Sequence, residues 1–134
     1  MADAEALRLA RQAALAADSI KATAVVALDV SPRLPLTDVF VLATGSSERH
    51  VDGIVDAVEE RLARCGANPA RREGRPGAHW VLLDYGTIVV HVMHGADREF
   101  YALDKLWKDC PELDLLGQTA DLPGDLALAT AAAE

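Results

Sequence analysis

The chain has 134 residues, 51% of them hydrophobic and 25% charged, and thirteen Lys and Arg against twenty-one Asp and Glu give it a formal net charge of -8. This is the composition of a single soluble globular domain, which at this length buries roughly two thirds of its unfolded surface without a disulfide or structural metal. The acidity excludes a charge-driven grip on nucleic-acid phosphates and leans towards a basic protein partner.

The opening Met1-Ala2-Asp3-Ala4-Glu5 is acidic where a signal peptide would be basic, and no apolar run has the length of a membrane span. Cys65 and Cys110 match no metal-ligand or redox spacing, which suits a reducing cytoplasm.

Residues 3–20, rich in Ala, Leu, Arg and Gln, read as an amphipathic helix with Ala4, Leu7, the stem of Arg11, Ala14 and Leu15 on its apolar face. Residues 23–30 form a β-branched run without polar alternation, the pattern of a strand covered on both faces. Ser31-Pro32-Arg33-Leu34-Pro35 breaks it, and residues 39–44 form a second such strand. After Gly45-Ser46-Ser47 a helix starts at Glu48, with Ser46 or Ser47 as its cap. Val51, Ile54, Val55, Val58 and Leu62 form its buried stripe, and Gly66 stops it.

A short extended piece at residues 68–72 and a turn-rich connector at 73–77 lead to two strands, residues 80–84 and 87–93. The brief link around Tyr85 and Gly86 makes them an antiparallel hairpin. Asp97 caps a last helix over residues 98–108, with Phe100, Leu103 and Trp107 on one face. The composition changes after Pro111. We assign the domain to residues 1–115 and a mobile tail to 116–134. The fold class is α/β, a mixed β-sheet flanked by helices.

The Gly45-Ser46-Ser47 turn at a helix start has the position of a phosphate site, but it lacks a Walker lysine or a full glycine fingerprint and reads better as a cap. A nucleotidyl transferase would pair such a turn with carboxylates holding two metal ions. No strand here carries two aspartates one residue apart, and Asp29, Asp38 and Asp84 are scattered over strand ends. His91, among Val89, Val90, Val92 and Met93, reads as a hydrogen-bonded histidine packed on the sheet, out of phase with His94 for a shared metal. His50, at a helix start, reads as a surface residue no more strongly than as anything else. A Ser46, His91, Asp84 triad can be drawn, but no nucleophile elbow supports it. Of the six aromatics, Phe40 and Phe100 read as core, while Trp80 at a strand start and Tyr85 on a hairpin turn are candidates for a surface.

A series of short motifs follows in order. They are Ala27-Leu28-Asp29-Val30; Thr37-Asp38 and Phe40 through Ala43-Thr44-Gly45-Ser46-Ser47 to Arg49-His50-Val51; Glu73-Gly74; Trp80-Val81-Leu82-Leu83-Asp84-Tyr85-Gly86; Val89-Val90-His91-Val92; and Arg98-Glu99-Phe100-Tyr101 with Leu103, Leu106 and Trp107. Jointly they resemble the ribosomal silencing factor family, the Iojap-related proteins of bacteria and organelles, over roughly residues 4–113. The resemblance implies a nucleotidyltransferase-like fold without that superfamily's catalytic carboxylates, and a binder with no catalytic residue, cofactor or metal. It further implies attachment to the intersubunit-face protein of the large ribosomal subunit, the fourteenth in the large-subunit series. That attachment would block the small subunit and repress translation in starvation or stationary phase, with a homodimer in the free state. Carried onto this sequence, the partner face comprises Trp80 as anchor with Leu82, Asp84 and Tyr85, flanked by Arg98, Tyr101 and Lys105. Asp104 stands where the family more often has Glu. The alternative function is a nucleotide-binding or nucleotidyl-transfer enzyme using the Gly45-Ser46 turn.

Overall fold

The computed structural model describes residues 2–74, 79–95 and 105–116. The chain forms α1 (Ala4–Ser19), β1 (Ala24–Asp29), β2 (Val39–Gly45), α2 (Glu48–Arg64), β3 (Arg71–Glu73), β4 (Trp80–Asp84), β5 (Ile88–His94) and β6 (Glu112–Leu113). The six strands make one sheet in the order β3-β4-β5-β2-β1-β6. Among the described residues only the β2–β5 pair is parallel. It lies at the centre of the sheet, where Val39–Gly45 is buried throughout and β5 is buried up to its last residue. Buried on both faces, these two strands read as near-continuous apolar runs rather than alternating ones. The mixed α/β architecture and the β4–β5 hairpin are those expected from the sequence.

Alternation sorts the side chains onto two faces. Ala27, Val39, Val41, Ala43, Val81, Leu83, Ile88, Val90 and Val92 form a core with α1 and α2. Leu28, Val30, Phe40, Leu42, Val89 and Met93 point the other way, where Cys110 and the half-buried Leu34, Leu82 and Trp107 join them. Both helices therefore pack on the same side, and the far face meets residues 105–110 instead.

Ser47 is the cap of α2, its hydroxyl accepting from the His50 amide at 3.0 Å, and Val51, Ile54, Val55, Val58 and Leu62 are all buried. In α1 the capping acid is Asp3, which accepts from the Ala6 amide at 2.8 Å. The buried face of α1 differs from the expected one. It runs through Ala6, Leu9, Ala10, Arg11, Gln12, Ala13, Ala14, Ala16 and Ala17, leaving Ala4 exposed and Leu7 and Leu15 half-buried. The helix packs against both α2 and the sheet, and close approach on two sides selects alanine over leucine. A single-stripe reading cannot detect that.

The segment after Pro111 holds a strand that the sequence did not announce. Ala27 pairs with Leu113 and Leu28 with Glu112, and the Asp29 amide donates to the Pro111 carbonyl at 2.8 Å. Leu115 is then buried against the helix-side core, and the Arg11 guanidinium donates to its carbonyl. A two-residue strand has no periodicity to read; the open edge of β1 creates it. Of the last expected helix, residues 105 and 106 are helical. Residues 98–104 and the tail beyond 116 lie outside the described residues.

Candidate functional site

On β4, period-two alternation places Trp80, Leu82 and Asp84 on the far face, beside Met93, His91 and Val89 of β5 in register. Trp80 is 39% exposed, unusual for the largest side chain in a strand of this sheet. Its indole Nε1 donates to His91 Nδ1 at 3.1 Å, with the ring centroids 5.8 Å apart. His91 meets Phe40 edge-on at 4.9 Å, Phe40 meets Trp107 edge-on at 5.0 Å, and the Arg33 guanidinium lies 4.5 Å above the Trp107 ring. A row of four rings thus crosses β4, β5, β2 and the 105–110 segment. Such edge-to-face pairs are worth about 1 kcal/mol each beyond their area.

Burial pushes the His91 imidazole down to about 4, so it is neutral at pH 7. Because Nδ1 accepts the indole proton, the ring's own proton sits on Nε2, which is buried without a partner. His91 is thus a histidine packed on the sheet, as its sequence context implied, and Trp80 is its hydrogen-bond partner.

Beside Trp80 a cleft of about 370 Å³ is lined by Glu73, Gly74, Trp80 and Leu82. Gly74 has φ +104, and a Cβ there would stand 2.7 Å from the Trp80 carbonyl, so only glycine lets β3 leave the sheet this close to the anchor.

The residues expected on the partner face do not all meet. Trp80, Leu82 and Asp84 share the far face, with the Asp84 carboxylate accepting from the Gly86 amide at 2.8 Å to close the hairpin turn. Tyr85 turns to the helix side, packed on the α1–α2 core with its hydroxyl buried and unpartnered. Burial raises its pKa to about 12; Glu59 adds to the rise and Arg72 opposes it. Val81, Leu83 and Tyr85 share the helix side, so the alternation of β4 carried one residue past its end already separates Tyr85 from Trp80. Lys105 is exposed. Arg98 and Tyr101 lie outside the described residues. Phe40, Trp107 and Arg33 complete the ring row without having been anticipated in that role. The signal for His91 was available, because the tight hairpin sets Leu82 opposite His91 and therefore Trp80 on the same face.

The Gly45-Ser46-Ser47 turn is occupied by the chain itself. The Ser46 amide donates to His50 Nδ1 at 2.9 Å, the His50 amide donates to the Ser47 hydroxyl, and His50 Nε2 reaches the Ile20 carbonyl at 2.8 Å. The half-buried His50 is therefore a cross-brace between α2 and the end of α1, and its ring and amide and the Ser46 amide are already engaged within the chain. Gly45 admits this closure, since a Cβ would lie 2.9 Å from the Val51 nitrogen.

Asp29, Asp38 and Asp84 do reach the same end of the sheet, but each is engaged locally. Asp29 accepts from Ser31 and the Ala2 amide, Asp38 from the Asp3 amide, and Asp84 from Gly86. Among the described residues no three His, Cys, Asp or Glu assemble as a metal-binding group, and no helix is long and apolar enough to cross a membrane. Ser46, His91 and Asp84 each have a different partner and form no triad.

A family model described as "Ribosomal silencing factor during starvation" matches residues 3–132. The chain is similar to ribosomal silencing factor RsfS of Halalkalibacterium halodurans, 38% identical over 117 residues that cover 87% of this chain and 97% of that one. To the protein of the same name from Bacillus subtilis it is 37% identical over 103 residues, 77% of this chain and 87% of that one. A crystal structure of a protein from Chromobacterium violaceum superposes with a TM-score of 0.69 at 34% identity, covering 75% of this chain and 83% of the other.

Proposed function

The chain belongs to the ribosomal silencing factor family, and from that membership we propose that it represses translation by docking onto the free large ribosomal subunit and sterically excluding the small one. Its contact is the fourteenth large-subunit protein at the intersubunit surface, and its period of action is starvation or stationary phase. The step is binding alone, with no covalent chemistry. The observation that carries this reading is the half-exposed indole of Trp80 on the far face, set beside Leu82 and Asp84. A large aromatic exposed next to apolar and acidic neighbours is the composition of an interface anchor. The net charge of -8 complements a basic ribosomal protein. By the family resemblance Lys105, Arg98 and Tyr101 are the flanking contacts we propose; Tyr85, turned to the opposite side, packs on the core beneath the hairpin. On the same reading the free protein is a homodimer, which equilibrium sedimentation would report as twice the chain mass.

Co-sedimentation with purified large subunits, alone and with small subunits added, tests the proposal. Association with the free large subunit and absence from joined ribosomes are expected. Trp80→Ala, if folded, weakens binding by roughly 30-fold, equivalent to about 2 kcal/mol at a hot spot. Undiminished binding by that variant would remove Trp80 from the interface. The Ser46 amide and Ser47 hydroxyl of the turn, both engaged by His50, and the separate local partners of Asp29, Asp38 and Asp84 argue against the nucleotidyl-transfer alternative. Calorimetry with magnesium nucleoside triphosphates should give no saturable heat.

A further inference from the structure

We propose that His91 is a positioning residue for docking, holding the Trp80 indole by its N–H so that a partner meets ring carbon rather than a hydrogen-bond donor. This rests on the reading of Trp80 as the anchor and adds what fixes the anchor and what chemistry it selects.

Three observations support it. First, the register sets Leu82 opposite His91, which makes Trp80 and His91 diagonal neighbours on one face, within reach of aromatic side chains. Second, His91 is itself immobilised, 5% exposed and held edge-on by Phe40, so it offers a fixed acceptor rather than a mobile one. Third, the indole N–H is consumed at 3.1 Å by Nδ1, while Trp80 as a residue stays 39% exposed. An indole has a single donor and no acceptor. With that donor engaged inside the protein, the accessible part of Trp80 offers only its carbon skeleton and π-face.

Such a surface selects an aliphatic side chain or a cation stacked on the ring, the two partners an aromatic face attracts. It gives nothing to a carbonyl or carboxylate seeking a donor. Burial keeps His91 neutral, which preserves Nδ1 as an acceptor across the physiological range. Losing the acceptor would leave the buried edge of the indole unsatisfied and turn the ring towards water.

The test compares the full-length wild type with His91→Phe, which removes the acceptor, and His91→Asn, whose amide oxygen stands near the place of Nδ1. A third protein carries 3-benzothienylalanine at position 80, which keeps the ring shape and replaces N–H by sulfur while leaving His91 intact. Two readouts are taken: water exchange of the Trp80 indole proton by NMR in the free protein, assigned by its loss in Trp80→Ala, and affinity for purified large subunits. His91→Phe is expected to speed indole exchange and weaken binding, each by about tenfold, with His91→Asn restoring both to within about threefold. The sulfur analogue should bind about as weakly as His91→Phe, because it too has lost the positioning bond. Rapid indole exchange in the wild type overturns the positioning bond without reference to ribosomes. Full-strength binding by His91→Phe or by the sulfur analogue overturns its role in docking, as does an Asn variant no better than Phe. If Trp80→Ala itself binds like the wild type, the anchor reading fails, and that outcome is distinguished by the protected indole proton persisting in the free wild type.

Discussion

A neutral imidazole inside a sheet gives stability a pH dependence of definite sign. His91 has an ordinary value near 6.5 in the unfolded chain and about 4 when folded. Between those values the unfolded chain holds a proton that the folded one does not. The contribution is therefore complete above pH 6.5 and is lost as the pH falls towards 4, by about 3 kcal/mol in all. Urea denaturation of the wild type at pH 7, 5.5 and 4 should show that decline on top of the carboxylate background, and His91→Asn, which cannot titrate, should show a shallower one. Parallel slopes for the two proteins would mean that His91 is hydrated. At this scale the sequence identified His91 as a packed histidine and Trp80 as a surface candidate. Their bond joins residues eleven positions apart, and it was legible only by carrying the hairpin register across the turn, not from either residue alone.

At the scale of the element, the turn between β2 and α2 shows how one glycine closes a site that the sequence left open. Its amides, its hydroxyls and His50 satisfy one another, and the Val51 backbone packs against the bare α-carbon of Gly45. Gly45→Ala forces backbone against a methyl group and should cost about 2 kcal/mol, the typical penalty of overpacking, read as a drop in thermal midpoint. An unchanged midpoint would show that the turn has room to move. The stripe of α2 was legible because large Val, Ile and Leu side chains mark it at helical spacing; the face of α1 was not, because it is broad and built mostly of alanine. β6 was illegible for another reason, since two residues carry no period and the unpaired edge of β1 decides the pairing.

For the whole molecule, the net charge of -8 makes a prediction about encounter rather than affinity. Raising salt from low to near-physiological strength should slow association with large subunits by about tenfold or less while changing dissociation little, because rim charges act mainly on the on-rate. Stopped-flow or surface-based kinetics would report it, and a salt-insensitive on-rate would discount charge steering. The sequence by itself determined the composition class, the central strands, α2, the hairpin and, through the order of its motifs, the family. Local periodicity and short turns are written in neighbouring residues. Tertiary structure alone decided that α1 and α2 share one face of the sheet, leaving the other to the ring row. It also decided that the ring row runs on from His91 to Phe40 and Trp107, and that His50 braces the phosphate-like turn against the end of α1. Those outcomes depend on which distant strands pair and in what register, and that is fixed only when the whole core closes.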